Sequence, residues 1–122
     1  NFATAVRETY EECGLLLDAQ AGLGRLTAVS PQSSKLPTLR VTPYVFGVDS
    51  SAIASVNSHE IDAVCWVSLE EPRDPETTRT VQIPLIGTFR DLPAYTVAGQ
   101  TVWGMTYRVL SGFLAHLNTV DP

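Results

Sequence analysis

The stretch Arg7-Glu8-Thr9-Tyr10-Glu11-Glu12-Cys13-Gly14-Leu15 constrains the fold of this chain more than any other. An α-helix turns about 100° per residue, so Glu8, Glu11 and Glu12, at i, i+3 and i+4, share one face. Phe2, Val6, Tyr10 and Cys13 fall on the opposite face, which predicts an amphipathic helix over Ala3 to Cys13. Gly14 suits the left-handed residue that ends such a helix. Leu15-Leu16-Leu17 then reads as the start of a buried strand.

Three like charges on one helix face repel by roughly a few tenths of a kcal/mol per pair. Arg7 reaches Glu11 at i+4 and flanks Glu8, yet it neutralises only one acid of the three. The acids lie late in the helix, where the macrodipole disfavours them. Helix stability therefore does not account for the cluster. A divalent cation does, because hard cations such as Mg²⁺ take oxygen ligands and usually keep several waters. For an E-x-x-E-E pattern alone a solvated acidic face is the plainer reading. The Arg-Glu before it and the Gly-aliphatic pair after it move the balance toward a cation.

The segment resembles the C-terminal part of the Nudix box, G-x5-E-x7-R-E-U-x-E-E-x-G-U, where U is a bulky aliphatic. Arg7, Glu8, Glu11, Glu12, Gly14 and Leu15 match, and Thr9 departs at the first aliphatic position. By that register the box's first glycine and first glutamate fall upstream of Asn1. The run Tyr95-Thr96-Val97-Ala98-Gly99-Gln100-Thr101-Val102-Trp103-Gly104-Met105-Thr106 is similar to the strand-to-helix passage of coenzyme A pyrophosphatases of the same superfamily. Glu60-Ile61-Asp62-Ala63-Val64-Cys65-Trp66-Val67-Ser68-Leu69-Glu70-Glu71 resembles that group's acid-led strand, and the leader Asn1 to Val6 fits it too.

The resemblance implies an α/β fold: a Nudix-type α/β/α sandwich with a mixed sheet, incomplete at the N-terminus, residues 1–122 forming a single partial domain. It implies hydrolysis of a nucleoside diphosphate linked to another moiety, coenzyme A or an acyl-CoA being the expected substrate. Mg²⁺ or Mn²⁺ is the expected cofactor, stabilising developing charge and polarising water. Glu8 and Glu12, one turn apart, are the leading metal ligands, with Glu11 a direct or water-mediated one. Glu8, Glu11 and Arg7 form the expected catalytic set, Arg7 holding a glutamate by a charge-assisted hydrogen bond. Glu60 is the candidate further ligand from beyond the box, with Glu70 and Glu71 behind it. The alternatives are a non-catalytic Nudix-fold module that binds nucleotides or proteins, an inactive fragment of the enzyme, and an unrelated α/β domain with an acidic helix. The missing box elements predict a poorly stable piece with little activity, which circular dichroism melting and a coenzyme A assay test.

Other residues carry plainer readings. His59 is expected to be an exposed loop histidine. Tyr44, Phe46, Trp66 and Trp103 are expected to pack, and Arg90 and Asp91 to form a surface pair in a loop. No G-x-S-x-G, P-loop or G-x-G-x-x-G occurs, which leaves serine hydrolase and glycine-loop nucleotide chemistry without support. A net charge of −5 argues against nucleic acid as a partner. No run reaches the roughly 18 apolar residues of a membrane span, and no secretory pattern is present. An intracellular setting is expected, a small-molecule nucleotide is the expected partner, and a homodimer is left open. Cys13 and Cys65 form no C-x-x-C and read as reduced core thiols.

Past the first helix the punctuation predicts short strands at Leu15 to Asp18 and Arg25 to Val29 around a turn at Ala21 to Gly24. A loop follows from Pro31 to Pro37, then a longer strand from Leu39 to Val48, with Asp49 to Val56 a loop or a turn of helix. Ile61 to Val67 reads as a strand, and Leu69 to Glu71 as one helical turn halted before Pro72. Arg73 to Thr78 is a polar loop, Thr80 to Pro84 is extended, and Ala94 to Val97 is a strand before a turn at Gly99-Gln100. The last helix runs from Trp103 to Leu117, its apolar set including Met105, Val109, Leu110, Phe113, Leu114 and Leu117.

Overall fold

The computed structural model describes residues 1–30 and 40–120. These fall into two compact units. The first comprises Asn1–Ala28 and Val41–Trp66; the described part of the second is Val29, Ser30, Arg40 and residues 67–120. The expected Pro31 to Pro37 loop and the start of the Leu39 strand lie outside the described residues.

In the first unit, α1 spans Phe2–Cys13. Asn1 caps it, its side-chain oxygen accepting from Thr4 N at 2.9 Å, which satisfies one of the donors that a helix start leaves free. Gly14 ends it in the left-handed conformation at φ 74°, its N–H donating to Tyr10 O at 2.9 Å. The face turned away from solvent carries Phe2, Ala5, Val6, Thr9 and Cys13, all half-buried. Tyr10, expected on that face, is 49% exposed, because its position is about 80° from Phe2 around the helix. Thr9 takes the inward place instead. Its hydroxyl donates to Ala5 O at 2.8 Å, so no polar group is stranded there.

Leu15 to Asp18 forms no strand, and Leu16 is 79% exposed. Asp18 accepts from Gln20 N at 2.9 Å and opens a 3₁₀ turn over Ala19–Ala21. The residues read as a turn are instead β1, Gly22–Arg25, paired antiparallel with β2, Tyr44–Phe46. The register slips between Gly22 and Gly24, where Gly24 sits at φ 150°. Glycines that suggest a turn in sequence here serve a bulge. Phe2 packs on this pair, 5.5 Å from the Tyr44 ring edge-on and 5.3 Å from Phe46. Tyr44 and Phe46 are thus packing residues, as expected.

Ile61 to Val67 is not a strand, since a strand exists only through a hydrogen-bonded neighbour and none among the described residues pairs with it. Trp66 is accordingly 61% exposed rather than packed, and Cys65 is an exposed free thiol rather than a core one. Cys13 is half-buried and also free.

The second unit opens with α2, Glu70–Arg73, which runs through Pro72 instead of stopping before it. Proline is tolerated in a first turn because the N–H it lacks would have no helical acceptor there. Asp74 caps a 3₁₀ turn over Pro75–Thr77, accepting from Glu76 N at 3.0 Å. Then come β3, Thr78–Leu85, β4, Thr88–Val97, and β5, Gln100–Trp103, in the order β3-β4-β5. The β3–β4 register runs from Thr78↔Tyr95 to Leu85↔Thr88, and β4–β5 from Ala94↔Trp103 to Val97↔Gln100. Pro84 lies in β3, an edge strand of that sheet. Arg90 and Asp91, expected in a loop, are paired residues of β4 opposite Ile83 and Gln82.

The β4–β5 turn is Ala98-Gly99, one residue before its expected place, with φ 50° and 73°. Two positive φ values match the right-handed twist of a hairpin. α3, Gly104–Val120, follows at once. Its Leu114 is buried with Tyr95 and Val97, and Leu110, Leu117, Tyr107, Val102 and Val67 pack around them. Burial raises the Tyr95 phenol above its ordinary value, partly opposed by a hydrogen bond with Ser111. Trp103 ends β5 and is 44% exposed, so it packs less than expected. Arg108 donates to the Ser30 carbonyl. The α/β class holds. Both sheets among the described residues are antiparallel, although a mixed sheet was expected. Short hairpin turns join β3, β4 and β5, whereas parallel pairing needs a crossover of about a dozen residues.

Candidate metal centre

The acids of α1 stand on its solvent side. Arg7 lies between two of them, with Nη2 at 3.8 Å from Glu8 and Nε at 3.6 Å from Glu11. Both contacts are longer than a charge-assisted hydrogen bond. All three side chains are more than half exposed, so each pair contributes about a few tenths of a kcal/mol. Arg7 therefore offsets repulsion without locking either carboxylate. Glu12 makes no ion pair among the described residues. A rise of about 1.5 Å per residue puts Glu8 and Glu12 about 6 Å apart along the axis.

Among the described residues no three His, Cys, Asp or Glu side chains stand where they could hold a metal ion. Like charges on exposed, rotatable side chains spread apart. What the fold supplies is a shared face of oxygen donors. That donor chemistry fits a hard divalent cation of the kind that keeps several waters and needs few protein ligands.

The last turn of α1 would leave the carbonyls of Tyr10, Glu11, Glu12 and Cys13 without helical partners. A strap from residue 55 to residue 57 meets three of them. Ser55 N donates to Cys13 O at 2.9 Å, and Asn57 N to Glu12 O at 3.0 Å. The Asn57 side-chain amide adds a bond to Tyr10 O at 3.0 Å. Sequence reasoning passed over Asn57, because its partner lies 47 residues away and no local pattern points to it. The strap leads into a turn in which Ser58 Oγ accepts from Glu60 N at 3.2 Å. Glu60 is exposed beyond it, and His59 is exposed as expected.

Glu70 and Glu71 belong to the second unit and are engaged there. Glu71 Oε1 accepts from Ala98 N at 2.7 Å and holds the β4–β5 turn; Glu70 pairs with Arg73 at 3.5 Å. A groove of about 270 Å³ lies among Phe2, Ala19, Gly22, Gly24, Arg25 and Tyr44. Phe2 places it on the side of α1 opposite the acids.

The NUDIX domain family model matches residues 1–87, a span holding α1, β1, β2, α2 and β3, and the chain belongs to that family. Its general chemistry is hydrolysis of pyrophosphate bonds. No curated protein and no solved structure matches the chain.

Proposed function

We propose that the full-length protein hydrolyses the pyrophosphate bond of a nucleoside diphosphate derivative, with coenzyme A or an acyl-CoA as substrate. The carrying observation is the capped helix α1, which presents Glu8, Glu11 and Glu12 together on its exposed face inside the family match. Glu8 and Glu12 hold Mg²⁺ or Mn²⁺, with Glu11 binding directly or through water. When bound, the cation supplies charge neutralisation at phosphate oxygens and acidifies water. Glu11 takes the proton of the attacking water, and Arg7 offsets the repulsion between Glu8 and Glu11. Glu60, beyond the Asn57 strap, adds a further carboxylate. The coenzyme A assignment rests on the resemblance of Tyr95 to Thr106, and the passage from β5 into α3 at Trp103-Gly104 follows that pattern.

The test is chromatographic detection of the two phosphomonoester products from coenzyme A with Mg²⁺ or Mn²⁺. In the full-length protein Glu12→Gln should lower turnover by about 100-fold or more, with a modest change in KM. Unchanged turnover in that variant would remove Glu12 from the site.

A further inference from the structure

We infer that Asn57 is a positioning residue for the carboxylates of α1, an inference that rests on the metal-dependent reading just given. Its two hydrogen bonds bracket one residue. The backbone N–H meets the carbonyl of Glu12 and the side-chain amide meets that of Tyr10, so Glu11 lies between the two anchored peptides. Tyr10 O also receives the Gly14 N–H, and Cys13 O receives Ser55 N. Thus Tyr10, Glu12 and Cys13, of the four residues in the final turn, have their carbonyls met.

Two physical consequences follow for the acids. A helix frays first where its carbonyls lack partners, and Glu11 and Glu12 spring from that turn. Anchoring it fixes the spacing of Glu12 from Glu8 on the preceding turn. The helix C-terminus also carries partial negative charge that opposes carboxylates nearby. Donors from residues 55 and 57 bond the carbonyls that carry that charge. The same residue sets where the chain leaves for the Ser58 turn and Glu60. Asn57 therefore ties the helical acids to the one from beyond the box without touching a ligand oxygen itself. Residues of this kind, one layer behind the ligands, change metal affinity by about tenfold or more when altered.

The experiment is a Mn²⁺ titration of the full 122-residue chain followed by electron paramagnetic resonance, well below each variant's melting temperature. Asn57→Ala deletes the amide donor, and Asn57→Asp keeps the shape while replacing the donor with an acceptor. Each should weaken Mn²⁺ binding by about tenfold with an unchanged far-ultraviolet circular dichroism spectrum. Leu114→Ala is the control: it opens a cavity in the core of the second unit, so it should lower the melting temperature and leave Mn²⁺ affinity unchanged. Wild-type affinity in both Asn57 variants would overturn the inference while leaving the acids as ligands. Equal weakening in Leu114→Ala would overturn it too, since affinity would then follow general stability. A wild-type chain that binds no Mn²⁺ would defeat the reading of the acids and this inference with it.

Discussion

Replacing Gly14 by alanine isolates the contribution of the helix stop to the acid-bearing turn. Gly14 holds φ 74° and ψ 7°, a region that costs a residue with a Cβ about 1 kcal/mol or somewhat more. No steric clash adds to this, because the nearest atom to a new Cβ is Ser55 Oγ at 3.8 Å, ordinary van der Waals contact. The N–H to Tyr10 O bond at 2.9 Å survives if the backbone stays in place. Alanine also restricts the unfolded chain, but that gain appears only where the native φ suits it. The net expectation is about 1 kcal/mol of destabilisation. For a chain of this size that corresponds to a fall in melting temperature of about 3–5 °C. Gly14→Asn should lose less, since asparagine tolerates the left-handed region. Urea unfolding followed by circular dichroism would give both values. A stability unchanged by alanine would show that the left-handed stop is not needed. A loss above about 3 kcal/mol would show that the cap breaks rather than strains.

Leu114→Ala should cost about 2–5 kcal/mol in urea unfolding, because Leu114 is 5% exposed and packs with Tyr95 and Val97; a loss under 1 kcal/mol would mean that this cluster is not the core of its unit. Tyr95 titrates above its ordinary value of 10.0 in the folded chain, chiefly through burial. Folding then keeps the phenol protonated where the unfolded chain has lost the proton, so stability should be full below that ordinary value and fall as pH rises through the folded one. Tyr95→Phe should flatten that alkaline fall, and an identical pH profile in the variant would remove Tyr95 as its source.

The helix and the shared face of its acids were legible because their signals are local. Three acids at i, i+3 and i+4, with a glycine two residues on, need no distant partner to be understood. Gly104 to Leu117 was legible for the same reason, its apolar residues recurring at helical spacing. Most of the misreadings concern β structure, where pairing rather than composition decides. Ile61 to Val67 has strand composition but no neighbour. Gly22 and Gly24 have turn composition yet stand opposite Phe46 and Val45. Arg90 and Asp91 read as loop residues and are held by the ladder opposite Ile83 and Gln82. At the site, the positions of the acids were readable, whereas the hydrogen bonds of Asn57 to the same turn were not. Glu71 gave no sequence sign that Ala98 would claim its carboxylate.

The outer edge of β3 has a bearing on how this chain behaves in company. An edge strand offers a row of donors and acceptors that an extended segment of another molecule can adopt. Pro84 has no N–H to offer such a visitor, and Arg79 brings a charge to the other end of the strand. On its β3 side the sheet thus carries features that discourage growth chain upon chain into a polymer.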